Sequence, residues 1–218
     1  MPTIRAVMFD LDGTLLDTLA DLGDAMNATL EALGFPPRDL AFYKKAVGDG
    51  APALAERSLP PAARTPDAIR QALLHLRTEY EQRWTLTTRP YGGIESLISE
   101  LRRRGLPLAV LSNKPQGKTH DCVNHFFAEA TFTIVRGAID GIPLKPAPAA
   151  ALAISRELGI PPDQWLYVGD TDTDMQTAVR AGFFPVGAAW GFRDREELLA
   201  HGARAVIDQP AELLALLD

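Results

Sequence analysis

From residue 90 onward, short apolar runs take turns with helix-patterned segments, and this alternation constrains the fold more than any other feature of the chain. The runs are LPLAVLS (106–112), TFTIV (131–135), WLYVGD (165–170), FFPVGAA (183–189) and a last one near 204–208. Between them the spacing predicts helices near 94–104, 117–127, 147–158, 174–181 and 194–201, with Gly105, Gly159 and Gly182 ending three of them. IRAVMF (4–9) is an earlier run of the same kind. Such runs are apolar without alternation, as expected of strands covered on both faces. The expected fold class is α/β, with a doubly wound parallel-sheet core.

A different texture interrupts that core. Leu19, Leu22, Met26, Leu30 and Leu33 recur at spacings of three and four, and Gly34 stops the pattern. Further helices are predicted near 38–47, 51–59 and 66–84, and Pro60-Pro61 separates the last two. No strand pattern is visible in this block. The predicted organisation is a core of residues 1–14 and 87–218 carrying an inserted helical cap, 15–86.

Bulk properties narrow the function. The net charge is −6, so neither nucleic acid nor an anionic membrane is an expected partner. An anionic substrate must then be drawn in by a local site. Cys122 is the only cysteine, which excludes an internal disulfide and suits a cytoplasmic protein. The N-terminus lacks a basic segment followed by an apolar core, and no apolar stretch approaches the roughly 20 residues of a membrane span.

Functional groups of a parallel sheet gather at the carboxyl ends of its strands. The first run ends in Asp10-Leu11-Asp12-Gly13-Thr14, the second in Ser112-Asn113-Lys114, and a later one in Gly169-Asp170-Thr171-Asp172-Thr173-Asp174. Lys145 lies in a loop, Pro143-Leu144-Lys145-Pro146, at the start of a helix. Carboxylates held together repel unless a cation neutralises them, and an all-oxygen set favours Mg2+. Asp10 and Asp170 can supply protein ligands. Ser112, Lys145 and the loop amides, including those of Gly13 and Thr14, can hold phosphate oxygens. An aspartate can then attack the phosphate. Asp12, two residues after Asp10, is placed on the same side to move the leaving-group proton.

These residues resemble the haloacid dehalogenase superfamily: DLDGT (10–14), Ser112 closing LAVLS, Lys145 and GDTDTD (169–174), in order and at strand ends. The resemblance implies a phosphatase in which Asp10 is the nucleophile and Asp12 the general acid/base. It implies metal held by Asp10, Asp170 and the Asp12 carbonyl, with Asp174 supporting the metal shell, and a helical cap that closes over the site. VGDGAPALAERSL (47–59), residues 90–115 and LKPAPAA (144–150) are similar to the phosphoglycolate phosphatases within that superfamily. The expected substrate is a small phosphorylated metabolite, 2-phosphoglycolate first. Lys44, Lys45 and the Gly48–Gly50 loop are the candidates to meet its carboxylate. The expected assembly is a monomer or homodimer.

Each motif also has a bland reading. Asp-Gly pairs form turns, Asp172 can cap a helix, a lone lysine is usually solvated, and Asn113 can contact phosphate or only brace its loop. SNKPQGKT (112–119) approaches a phosphate-cradling loop, but Ser112 stands where glycine is needed and Pro115 lacks an N–H. The four histidines share no metal spacing. The alternatives are a sugar- or nucleoside-monophosphate phosphatase, a phosphomutase, and a non-catalytic binding module. The last is disfavoured because Asp10, Asp12, Lys145 and Asp170 are all present.

Overall fold

The computed structural model describes residues 3–217; Met1, Pro2 and Asp218, at the ends of the expected core, lie outside the described residues. The chain divides into two compact units. The helical unit is Asp17–Arg89, and the remainder forms the α/β unit. In chain order the elements are β1 (Ala6–Phe9), β2 (Leu16–Asp17), α1 (Leu19–Ala32), α2 (Leu40–Ala46), α3 (Ala51–Ser58), α4 (Pro66–Arg83) and β3 (Arg89–Pro90). There follow α5 (Ile94–Arg103), β4 (Leu108–Pro115), α6 (Gln116–Phe126), β5 (Ile134–Ala138), α7 (Ala149–Glu157), β6 (Trp165–Gly169) and α8 (Asp172–Ala181). The chain closes with β7 (Phe184–Ala188), α9 (Arg195–Ala200), β8 (Ala205–Ile207) and a 3-10 segment, Pro210–Leu216.

Six strands form one parallel sheet in the order β5-β4-β1-β6-β7-β8. The α/β fold class read from the alternation is the observed one. β1 is central, and all four of its residues are buried, which explains its unbroken apolar character. It pairs with β4 through Val7–Leu108 and with β6 through Ala6–Trp165. Strand order runs outward from β1 in one direction and from β6 in the other, so the switch point lies between them. On one face of the sheet Met8, Leu111, Trp165 and Tyr167 pack with Ile154, Ala178 and Phe183. Trp165 and Phe183 stack with centroids 5.5 Å apart.

Two further strands, β2 and β3, were invisible to the hydrophobic pattern. Each is two residues long, and they pair where the chain enters and leaves the helical unit. Two-residue strands carry no readable period. Within the helical unit, Asp21 of α1 accepts four hydrogen-bond donors: the backbone N–H and hydroxyl of both Thr87 and Thr88, at 2.6–3.1 Å. This buried carboxylate fastens the first helix of the unit to its last residues. Among the described residues, no helix is long and apolar enough to cross a membrane.

Candidate active site

The site forms at the carboxyl edge of the sheet, inside the α/β unit. Asp10 follows β1 directly, and its N–H donates to Val168 O of β6 at 2.9 Å. That bond brings the first acidic motif against the strand that delivers Asp170. One carboxylate oxygen each from Asp10, Asp170 and Asp174 lies within 4.8 Å of the others, and all three residues are buried.

Lys145 answers this charge. Its Nζ is 2.9 Å from Asp10 Oδ1 and 2.6 Å from Asp174 Oδ1. Burial alone would drive the lysine's proton off, but Asp10 and Asp174 outweigh it and raise its pKa. One ammonium still leaves three carboxylates undercompensated. Burial, then the charge of Asp174, pushes the Asp10 carboxyl well above the usual range, against Lys145. The same causes push Asp170 up to about 7. A buried acidic group this poor in positive charge suits a divalent cation, and its donors are all hard oxygens. Asp10 and Asp170 are the residues best fitted to hold it.

Asp174 is more heavily committed. Its Oδ1 accepts from Lys145 and from the Tyr167 hydroxyl at 3.0 Å, and its Oδ2 from the N–H and hydroxyl of Thr171 at 3.1 and 2.7 Å. Those four donors suit a group that orients Lys145 and the start of α8. The helix begins earlier than its pattern implied. Thr171 is the N-cap residue and Asp172 the first helical one, so the capping role expected of Asp172 belongs to its neighbour. Asp172 instead accepts from Gln176 Nε2 at 3.3 Å.

Asp10 is asymmetrically held. Oδ1 accepts from the Leu11 N–H at 2.7 Å and from Lys145, whereas among the described residues no hydrogen bond reaches Oδ2. Asp170 is pinned on both sides, by the Thr14 hydroxyl on Oδ1 at 2.6 Å and the Phe192 N–H on Oδ2 at 2.9 Å. The Thr14 hydroxyl is thereby spent on a carboxylate. Gly13 has φ +89°, and a Cβ there would sit 2.2 Å from Asp170 Oδ2. Only glycine fits both conditions.

Asn113 braces rather than projects. Its Oδ1 accepts the Lys145 N–H at 2.9 Å and its Nδ2 donates to Lys145 O at 3.1 Å. Ser112 is buried and accepts the Lys114 N–H at 3.1 Å, which leaves its own proton to donate. Lys114 pairs with Asp12 at 2.8 Å. Asp10, Lys145, Asn113 and Asp174 thus form one bonded network, the Asp170–Thr14 pair lies against it, and Asp12, Lys114 and Ser112 form a separate chain.

Lys44 and Gly50 belong to the helical unit. Lys44 is exposed in the last turn of α2, and Gly50 is the N-cap of α3 with φ +87°. The phosphate-loop look-alike is spent structurally: the Thr119 hydroxyl donates to Lys114 O at 3.0 Å, and Lys118 pairs with Asp121 at 3.0 Å. The sequence places Lys114 and Thr171 at strand ends but gives no role to them, to Tyr167 or to Phe192. Ser112 and Lys114 at i and i+2 on a strand end share a face, which was the one available signal for the lysine.

The carboxylate group, its bridging lysine and the parallel sheet define a hydrolase of one family. The description "haloacid dehalogenase-like hydrolase" covers residues 7–188, and the chain belongs to that family. A phosphoglycolate phosphatase of Pseudomonas putida is 35% identical over 96% of this chain and 78% of its own length. An N-acetylmuramic acid 6-phosphate phosphatase of Pseudomonas aeruginosa is 31% identical over 99% of this chain and 95% of its own. A solved structure from Lactobacillus delbrueckii subsp. bulgaricus, assigned provisionally as a phosphoglycolate phosphatase, is 30% identical. It superposes with a TM-score of 0.92, covering 99% of this chain and 98% of that one.

Proposed function

We propose that the protein is a magnesium-dependent phosphomonoester hydrolase working through an aspartyl-phosphate on Asp10. The observation that carries this reading is the asymmetry of Asp10: Oδ1 is held by Leu11 and Lys145, and Oδ2 is left to react. Asp10 and Asp170, with the Asp12 carbonyl, would hold the metal. When bound, it supplies charge neutralisation to phosphate oxygens and to the carboxylates facing them.

The chain's own groups then have distinct tasks. Lys145 and the Ser112 hydroxyl bind phosphate oxygens; the Gly13 and Thr14 N–H groups, expected to join them, donate instead to Leu16 O and Leu11 O and close the loop. Asp10 Oδ2 attacks phosphorus, and the bond to the ester oxygen breaks. Asp12 gives that oxygen its proton. Asp12 then takes a proton from water, water attacks phosphorus, inorganic phosphate leaves and Asp10 is restored. Asn113 keeps Lys145 in register, and Asp174 and Tyr167 fix its ammonium.

The favoured substrate is 2-phosphoglycolate, supported by the names of several relatives, of whose own length the match covers 78%, 89% and 97%. A sugar phosphate is the second reading, supported by the muramic acid phosphatase whose length this chain nearly spans. We assign discrimination between them to the helical unit, with Lys44 and Gly50 as the residues to substitute. The acidic chain with its lone, buried Cys122 supports a cytoplasmic location and a small metabolite, not nucleic acid, as partner. Phosphate release is to be measured from both substrates, with magnesium and with EDTA, for the wild type and Asp10→Asn. Equal rates for the two proteins would remove Asp10 as nucleophile. Equal rates on both substrates would remove the substrate assignment.

A further inference from the structure

Lys114 has no task in the reaction above, yet it is among the most tightly placed residues of the site. Its Nζ lies 2.8 Å from Asp12 Oδ1 and 3.1 Å from Oδ2. The lysine side chain is 5% exposed and the aspartate side chain 14%. The backbone of Lys114 is fixed as well. Its N–H donates to Ser112 Oγ, and its carbonyl accepts the Thr119 hydroxyl. The neighbouring strand comes so close that a Cβ on Gly137 would meet Lys114 O at 2.6 Å. Root and tip of this side chain are therefore both held.

Asp12 has the opposite character. It sits on the loop after β1, next to Gly13 in its positive-φ conformation. Among the described residues, Lys114 is the one side chain that donates to it. An aspartate has two side-chain torsions, and the bonds from Lys114 to both carboxylate oxygens bias them toward one rotamer. Proton transfer needs the carboxyl group within hydrogen-bond reach of the leaving oxygen, so the fraction of time spent in one orientation enters the rate directly.

We infer that Lys114 is a positioning residue for the proton transfer to the leaving group: gripping both oxygens of Asp12, it selects the orientation from which that carboxyl group serves the ester oxygen. The inference rests on the proposed role of Asp12. It is independent of substrate identity, because both partners lie within the α/β unit. The Lys114 ammonium meets the Asp12 carboxylate and acts through it.

A series of substituted phenyl phosphates tests it. The quantity kcat/KM ends at phosphoryl transfer to Asp10, so it reports leaving-group protonation without the later hydrolysis. A nitrophenolate leaves readily without a proton, and an unsubstituted phenolate needs one. Lys114→Met should lower kcat/KM for phenyl phosphate about tenfold more than for p-nitrophenyl phosphate, steepening the dependence on leaving-group basicity. Lys114→Arg should recover part of the difference, since a guanidinium can grip both oxygens. Retained turnover of p-nitrophenyl phosphate shows that the variant is folded. An equal loss on both esters, or none, overturns the inference. Asp12→Asn, run in parallel, separates the two claims. If it steepens the dependence and Lys114→Met does not, only the role of Lys114 falls. If Asp12→Asn leaves the dependence flat, the role of Asp12 falls and the inference with it.

Discussion

Lys145 reaches Asp10 Oδ1 at 2.9 Å from a pocket where its own side chain is 2% exposed. The same ammonium holds Asp174 at 2.6 Å, so one positive charge serves two carboxylates from either side of the switch point. Removing it leaves buried negative charge uncompensated at the place where a phosphate must approach. Lys145→Met should therefore lower kcat/KM by about 10²–10³ at saturating magnesium. Lys145→Arg should not restore it, because a planar fork cannot take the place of a compact ammonium on this network. Steady-state phosphate release decides the matter, and a loss below about tenfold for Lys145→Met would contradict the assignment.

The carboxylate group makes metal-free stability depend on pH. Burial, then the charge of Asp174, raises Asp170 to about 7, and Asp10 is raised as well. A raised carboxyl keeps its proton in the folded chain at pH values where the unfolded chain has released it. The folded state then binds more protons, and stability falls as pH rises. The window runs from the unfolded value, about 3.9, to the folded value of about 7. Urea melts in EDTA should show this decline. Magnesium should remove it and add about 2.7 kcal/mol at a hundredfold excess over its Kd. A decline that persists in magnesium would assign the metal elsewhere.

Asp21 has the opposite sign. Burial acts to raise its carboxyl, but the hydrogen bonds from Thr87 and Thr88 win and lower it. Its contribution is therefore present above the unfolded value of about 3.9 and is lost as pH falls through the lower folded value. Asp21→Asn should cost about 3 kcal/mol near neutrality, since an amide cannot accept from all of these donors. The gap between wild type and variant should close on acidification. A pH-independent gap would mean that shape, not charge, fastens the helical unit.

What was legible in the sequence follows from how far each signal travels along the chain. The inner strands β4, β1, β6 and β7 are almost wholly buried, so each announces itself as an apolar run, whereas the partly buried edge strand β5, IVRGA, starts three residues later than the run TFTIV suggests. Asp10, Ser112 and Asp170 stand out because each ends such a run, and Lys145 because it lies in the proline-flanked loop before the next helix. Asp21 did not, because a carboxylate in a first helical turn is also what a solvated helix start looks like. Its partners lie 66 and 67 residues away. Lys114 and Asp12 are 102 residues apart, and nothing local marks their pairing. Asn113 admits two readings in sequence, and the contact that decides between them, with Lys145, is again long-range. The commitment of Asp174 to Tyr167 was hidden because a tyrosine inside an apolar strand reads as core.

Gly13 separates backbone strain from contact with the Asp170 carboxylate. An alanine there would meet two penalties, the positive φ of +89° and a Cβ 2.2 Å from Asp170 Oδ2 and 2.8 Å from the Phe192 ring. Gly105, at the end of α5, has φ +74°, and a Cβ added there would meet nothing within 4 Å, so Gly105→Ala meets only the first. Strain alone should cost about 1 kcal/mol of stability and leave activity intact. Gly13→Ala must push Asp170 off the Thr14 and Phe192 donors that orient it, so its magnesium affinity should fall about 10–100-fold. Magnesium titrations of phosphate release on the two variants make the comparison. If Gly105→Ala weakened magnesium as much as Gly13→Ala, the close approach of the loop to Asp170 would not be what the glycine provides.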